Sequence, residues 1–296
     1  MIRPPSITAL LCLEASARLH SFTHAAAELH LTQGAVSRQI ITLEERLGVQ
    51  LFIRKREALA LTEAGSYYLQ EVGPLLQRLD RATANVMALK GCGGSLALSV
   101  GASLGSYWLI PLLPAFTRSH SEITLNFATR IGSVDFGNTP VDASLEFGSG
   151  QRAGMHNEFV LPLILTAYAS PAWAALHGKK ISGATPRSHF IHHSTVPEGW
   201  KEWFKLLNIE GDPGSEGPRY DLMSMALNAA IAGLGVVLLP SFMTDDALAS
   251  HRLVKLSTRQ WRSAKGYYLV YPDTSAQLQS LQIFKAWLLE QAQAAV

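Results

Sequence analysis

Five residues, Gly91-Cys92-Gly93-Gly94-Ser95, divide this 296-residue chain into two stretches of different texture. Three glycines in five positions make a flexible joint and the clearest boundary between domains. Before the joint, apolar residues recur at helical spacing; after it, short apolar runs alternate with helical patterns. A chain of this length, 48% hydrophobic and 16% charged, is long enough for two or three domains and apolar enough to bury a large core. The pattern divides it into 1–61, a compact helical domain with a short hairpin; 62–90, one long helix; and 91–296, an α/β domain.

In the first stretch Ser6 is placed to cap a helix whose Ile7, Leu10, Leu13 and Ala17 share a face. Thr23 can cap a second, short helix over Ala25–Leu29. Thr32 can cap a third that ends at Gly48, a glycine where a helix C-terminus needs a left-handed residue. In the third helix Val36, Ile40, Leu43 and Leu47 fall on one side, and Gly34, Ser37, Arg38, Ile41 and Glu45 on the other. Two helices joined by a tight turn are a helix-turn-helix. Leu51-Phe52-Ile53 and Ala58-Leu59-Ala60-Leu61, flanking Arg54-Lys55-Arg56, read as a hairpin with a cationic tip. Beyond Thr62, Leu69, Val72, Leu76, Leu79 and Val86 recur at heptad-like spacing beside a second stripe of Leu75, Ala82 and Leu89. So much apolar surface on one helix calls for a partner, a second copy being the natural one. Gly73-Pro74 predicts a kink or break.

Reading DNA requires a helix N-terminus in the major groove, polar side chains that reach base edges, and cations for phosphates. Thr32, Gln33, Gly34, Ala35, Ser37 and Arg38 supply the first two: Gln33 can hold adenine bidentately and Arg38 can hold guanine or a phosphate. Gly34 and Ala35 let the backbone come close. Arg54, Lys55 and Arg56 supply phosphate contacts. The net charge of only +2 does not by itself mark a nucleic-acid binder, and the same spacing fits a helical bundle with a solvated polar face.

Residues 21–65, with TQGAVSRQI, LE, LG and LF followed by LTEAG, resemble the LysR family of transcriptional regulators almost position for position. The opening PPSITALLCLEASARLHSFTHAA is similar to the branch holding the glycine-cleavage activator and the β-lactamase regulator. Gly34 departs from the proline or alanine frequent there, and the wing RKREAL lacks a second arginine-rich turn. The resemblance continues more loosely through WLIPLLPAF (108–116), VDFGNTPVDASLEFGSG (134–150), LTAYASP (165–171) and AAIAGLGVVLLP (229–240). It implies a winged helix-turn-helix, a dimerisation helix over 62–90, and an α/β effector domain of two subdomains like periplasmic binding proteins, crossing over near Ala167 and Tyr267. It also implies double-stranded promoter DNA and a small-molecule effector as partners, and a homodimer or homotetramer.

The second stretch itself predicts strands over Leu96–Val100, Ile123–Ala128, Val141–Phe147, Val160–Tyr168, 235–239 and Tyr267–Tyr271, and helices over 106–119, 198–207, 221–233 and 275–291. Such alternation favours mainly parallel strands. Ligands of open α/β sheets meet strand C-termini and helix N-termini. That selects Ser103, Ser106, Thr129, Arg130, Phe147, Gly148, Thr166, Tyr220 and Met223 as effector contacts, and suits a carboxylate; each is equally at home as a cap or turn residue.

Other chemistries are less well supported. Gly101-Ala102-Ser103-Leu104-Gly105 matches the nucleophile elbow of hydrolases, but nothing marks a downstream acid or histidine, Asp221 and His251 included. A hydrolase with a helical arm, or a plain solute-binding protein, remain the competing readings. His189, His192 and His193 have metal-like spacing without the helical frame or acidic neighbours of a site. The Trp200, Trp203, Phe204 and Leu207 stripe reads as core or a subunit contact. Two distant cysteines, Cys12 and Cys92, exclude a cysteine-based zinc finger and fit a reducing compartment. No signal peptide or membrane span is evident. The expectation is a cytoplasmic, non-enzymatic regulator without metal or cofactor.

Overall fold

The computed structural model describes residues 4–55, 58–88, 94–130, 132–211, 213–214 and 216–294. The chain forms two compact units, one centred on Met1–Gly91, the other on Cys92–Phe136 and Val141–Val296.

The first unit opens with α1 (Ile7–Leu19), α2 (Phe22–Glu28) and α3 (Gln33–Leu47). A side-chain oxygen caps each: Ser6 accepts from Ala9 N at 3.2 Å, Ser21 from His24 N at 3.2 Å, and Thr32 from Ala35 N at 3.2 Å. Ser21 rather than Thr23 thus starts the second helix, because His20 turns left-handed at φ 49° and α2 begins at Phe22, three residues before the expected Ala25. Gly48, at φ 68°, ends α3. Cys12, Leu13, Ala25, Val36, Ile40 and Leu51 are fully buried in the shared core, and Phe22 meets Phe52 edge-on at 5.4 Å.

β1 (Phe52–Lys55) and β2 (Ala58–Leu61) pair antiparallel, Phe52 opposite Leu61 and Lys55 opposite Ala58. Thr62 joins this hairpin to α4 (Glu63–Ala88): its hydroxyl accepts from Gly65 N at 2.9 Å and donates to the Gln50 carbonyl at 2.7 Å. α4 runs through Gly73-Pro74 without the expected break. Proline removes one hydrogen bond and its ring crowds the carbonyl four residues back; its crowding of the preceding residue is lightened because Gly73 has no Cβ. Leu89 and Lys90 lie outside the described residues.

The second unit begins with β3 (Gly94–Val100), so Gly94 and Ser95 belong to a strand rather than the joint; Gly91, Cys92 and Gly93 lie outside the described residues. One helical run follows, made of α5 (Ala102–Leu104), a π turn (Gly105–Leu109) and α6 (Ile110–Ser119). Then come β4 (Ile123–Thr129), β5 (Ala143–Gly148), β6 (Met155–Ala169), α7 (Pro171–His177), β7 (Phe190–His193), α8 (Gly199–Leu207) and β8 (Arg219–Tyr220). α9 (Met223–Ile231), β9 (Val236–Leu239), α10 (Asp245–Ala249), β10 (Val254–Lys255), β11 (Trp261–Pro272), α11 (Asp273–Ala276) and α12 (Gln279–Ala294) complete it.

The strands run in the order β4-β3-β5-β11-β6-β9-β7-β8, with β10 also on β6. The expectation of mainly parallel strands is corrected. β3 pairs parallel with β4 and β5, and β7 with β8 and β9, but β6 and β11 run antiparallel to every neighbour. These two long strands carry the chain between a lobe built on β3–β5 and one built on β7–β9. Their shared register slips between Arg262 and Gly266, a bulge whose Lys265 N donates to Ser263 Oγ at 3.1 Å. Gly266 fits there because a Cβ would come within 2.7 Å of the Leu161 carbonyl.

The unit has one continuous core. Phe116 packs against Phe284 and Trp287 at ring separations of 5.5 and 5.0 Å. Trp200, Trp203 and Phe204 are buried core residues, and Trp200 Nε1 donates to the Ile191 carbonyl at 2.9 Å.

Candidate functional site

Two regions gather the residues singled out above, one in each unit. In the first, the buried side of α3 leaves the opposite side outward. Thr32, Gln33, Gly34 and Arg38 are exposed, and Ala35 and Ser37 half-buried. The space a Cβ would enter at Gly34 is empty, so no described residue packs on that position of the helix start. The first N–H groups of a helix have no intrahelical acceptor and, with the helix dipole, favour an anion.

The wing is tied directly to α3. Glu44 Oε1 accepts from Leu51 N at 2.7 Å and Phe52 N at 3.1 Å, so one carboxylate of α3 holds the hairpin's first residues. Arg54 and Lys55 end β1 at the hairpin tip, and Arg56 lies outside the described residues. An exposed helix start with an amide and a guanidinium, beside a rigidly attached cationic hairpin, can hold a phosphate backbone and reach base edges.

In the second unit a cleft of about 260 Å³ lies where the two lobes meet. Five of the nine residues singled out line it: Ser103, Arg130, Phe147, Gly148 and Met223. The other four do not. Ser106 and Thr129 are exposed, the first beyond the start of the π turn, the second at the end of β4. Thr166 is buried in β6, its hydroxyl 3.4 Å from the Arg259 carbonyl. Tyr220 packs against the core. His193, Asp221, Lys265, Tyr267 and Glu146 also line the cleft, and sequence reasoning did not select them. β7 and β11 bring His193 and Lys265 there through pairings distant in sequence; only His193 drew notice, as a metal candidate.

Hydrogen bonding sorts these groups. Glu146 is committed: its Oε1 accepts from Arg152 Nη1 at 2.8 Å and from Val134 N at 2.9 Å. His193 Nδ1 takes the Thr195 N–H at 3.3 Å and lies 2.7 Å from Thr195 Oγ1. A backbone N–H can only donate, so the neutral ring carries its proton on Nε2, which is buried without a partner. Burial holds the His193 imidazolium below the usual histidine range, and Asp221 opposes that shift. Burial likewise raises the Tyr267 phenol. The helical run from Ala102 and α9 both begin at the cleft, and neither has a side-chain cap.

The three histidines with metal-like spacing do not come together. Trp173 Nε1 donates to His189 Nδ1 at 3.3 Å, while strand alternation sends His192 and His193 to opposite faces. Among the described residues no cluster of three metal-ligating side chains occurs, and no helix is long and apolar enough to cross a membrane. Ser103 shares the cleft with His193, but Thr195, not a carboxylate, holds His193 Nδ1; the orienting acid of a hydrolytic triad is replaced.

The bacterial regulatory helix-turn-helix profile of the lysR family matches residues 7–66, and the LysR substrate binding domain matches 90–293. The glycine cleavage system transcriptional activator of Escherichia coli K12 is 32% identical over 295 residues, 99% of this chain and 95% of that one. The transcriptional activator AmpR of Pseudomonas aeruginosa is 34% identical over 298 residues, 99% and 98% of the two chains. The solved effector domain of that AmpR superposes with a TM-score of 0.62 at 25% identity, covering 68% of this chain and 96% of its own. The full-length structure of the virulence activator AphB of Vibrio cholerae shares the fold, with a TM-score of 0.61 at 19% identity over 96% of this chain and 99% of its own. The chain therefore belongs to the LysR family: it is a transcriptional regulator, not an enzyme, with an N-terminal helix-turn-helix DNA-binding domain and a C-terminal effector-binding domain.

Proposed function

We propose that this regulator reads promoter DNA with Thr32, Gln33, Gly34, Ala35, Ser37 and Arg38 in the major groove and with Arg54, Lys55 and Arg56 on phosphates. Residues 1–61 are the DNA-binding domain, 62–90 the dimerisation helix and 91–296 the effector domain. The observation that carries this reading is the unobstructed start of α3, with Gln33 and Arg38 exposed on its outer face. Leu75 and Leu79, 61% and 42% exposed on α4, support a helix-paired homodimer, two of which form a homotetramer on DNA. The cytoplasm is where a protein of this function meets its operator.

Effector binding lies in the cleft, where Ser103, Arg130 and the two uncapped helix starts suit a carboxylate. Binding shifts lobe closure, and closure shifts how the oligomer holds DNA.

The test is binding of purified protein to DNA upstream of its own gene against random DNA, across salt, for wild type and Arg38→Ala. Preference for the upstream DNA, affinity falling steeply with salt, and loss of preference in Arg38→Ala support the reading. No binding to either DNA at low salt sinks it. For the cleft, Ser103→Trp should keep DNA affinity and lose any change in it caused by the small-molecule fraction of a cell extract; an unaltered response places the effector elsewhere.

A further inference from the structure

We propose that the cleft is built for a small amino dicarboxylate, a molecule of amino-acid size carrying one ammonium and two carboxylates. This rests on the cleft being the effector site and names the class of ligand it takes.

Size is the first constraint. About 260 Å³ lies below the roughly 300–1,000 Å³ of pockets for drug-sized ligands, so the occupant is a compact metabolite.

Charge is the second. Four ionisable side chains that carry charge at neutral pH line the cavity: Arg130, Lys265, Glu146 and Asp221. Glu146 is already neutralised by Arg152 and a backbone N–H. Arg130, Lys265 and Asp221 form no ion pair among the described residues. They come from three directions: Arg130 just after β4, Lys265 on the bulge of β11, and Asp221 just before α9. The uncommitted set is two positive charges and one negative, and its complement is two negative and one positive.

Hydrogen-bonding polarity agrees. The buried His193 Nε2 makes no hydrogen bond of normal geometry, with only the Asp221 backbone beside it, and a ligand oxygen would complete its bonding. The uncapped starts at Ala102 and Met223 add donors. Both features favour carboxylate oxygens, whereas the Asp221 carboxylate offers an acceptor for an ammonium. The apolar remainder, Leu104 and Met223 among it, suits the methylenes between the charges. A neutral amino acid would leave one cation unmatched, and a plain dicarboxylate would set its charge against Asp221.

Calorimetric titration of the full-length chain tests this with L-glutamate, with glutarate, which lacks the amine, and with L-glutamine, which lacks the second charge. The expected result is L-glutamate binding roughly tenfold or more tighter than either analogue, the effect of one charged hydrogen bond. Asp221→Asn should weaken L-glutamate and strengthen glutarate, inverting their order. Lys265→Met should weaken both dicarboxylates more than L-glutamine. A merely structural role for Asp221 would shift all three ligands together. Glutarate binding as tightly as L-glutamate, or an order that survives Asp221→Asn, overturns the proposal. If those ligands still respond to either substitution, the cleft reading stands and only the class falls. If a ligand binds but is indifferent to both substitutions, the cleft is not its site and both readings fall. If none binds at millimolar concentration, the class falls, and the extract response of Ser103→Trp decides the cleft separately.

Discussion

Replacing Gly65 by alanine should destabilise the DNA-binding unit, although Gly65 lies inside a helix, where alanine is ordinarily better by up to about 1 kcal/mol. A Cβ at Gly65 would stand 2.1 Å from the Leu51 carbonyl oxygen and 3.0 Å from the Leu61 side chain. To restore the 3.0 Å that real Cβ atoms keep, that carbonyl must retreat by about 0.9 Å. It cannot do so freely, because it accepts the Thr62 N–H at 2.9 Å and Leu51 is fully buried. Overpacking of this kind costs about 1–3 kcal/mol, and weakening the Thr62 bond adds about 1 kcal/mol. Set against the propensity gain, the net loss is about 2 kcal/mol. Gly34→Ala is the opposite case: its Cβ would meet nothing, so it should gain a few tenths to about 1 kcal/mol. Urea unfolding of the full-length chain separates the two. All six tryptophans lie beyond residue 107, so their fluorescence follows the effector unit while far-UV circular dichroism also follows the helical first unit. Gly65→Ala should lower the midpoint of the first unit by about 1 M and leave the tryptophan transition in place. A midpoint that rises in Gly65→Ala, as in Gly34→Ala, would refute the close packing of α4 on the strand that enters the wing.

Glu44→Ala should cost about 2 kcal/mol in the same unit, since it strips the acceptor from the buried Leu51 N–H and from Phe52 N–H; Glu44→Gln, which keeps an oxygen there, should restore most of it, and equal losses in both would count against the bond. Burial depresses His192, next to Arg219, and His193, next to Asp221, below the ordinary histidine range. The native state then binds fewer protons than the unfolded chain once pH falls below about 6.5. Effector-unit stability should therefore be full above that pH and decline as pH falls further. Tryptophan-monitored melting at about pH 7.5 and 5.5 should show the drop, and His192→Leu should flatten it; a melting temperature that rises on acidification would contradict the burial.

The helix-turn-helix was legible because its signals are local. Thr32 caps, Gly48 terminates, and Val36, Ile40 and Leu43 mark the buried face without help from the rest of the chain. The strand directions were not legible. The apolar run Val160–Tyr168 shows that β6 is a strand, but its antiparallel pairing with Gly266–Pro272, about a hundred residues on, leaves no trace in either segment. At Gly73-Pro74 the helix is unbroken, the missing Cβ of Gly73 relieving part of proline's crowding. In the cleft, Ser103, Arg130, Phe147, Gly148 and Met223 could be found because strand ends and helix starts are visible in the pattern. His193 and Lys265 could not, since a buried strand and a bulge place them, and both depend on partners remote in sequence; Asp221, at the start of α9, carried the same helix-start signal as Met223 and was passed over. Ser106 and Thr166 failed on side-chain phase, one within a π turn and one on the inner side of a strand.

The slip between Arg262 and Gly266 has a mechanical consequence. The two lobes are joined by a double-stranded strap whose register shifts twice in quick succession, between Arg262 and Gly266 and again between Tyr267 and Tyr268, with regular pairing beyond both shifts. At the slip the strap has no regular rung to break, and the local N–H of Lys265 is satisfied by Ser263 of the same strand. Torsion can gather there without sacrificing interstrand bonding, whereas wide opening would tear the ladder. The joint is therefore compliant in twist and rigid in hinge opening. A ligand in the cleft would deliver a small rotation of one lobe against the other, and a small rotation reaches DNA as a large displacement only through a long lever.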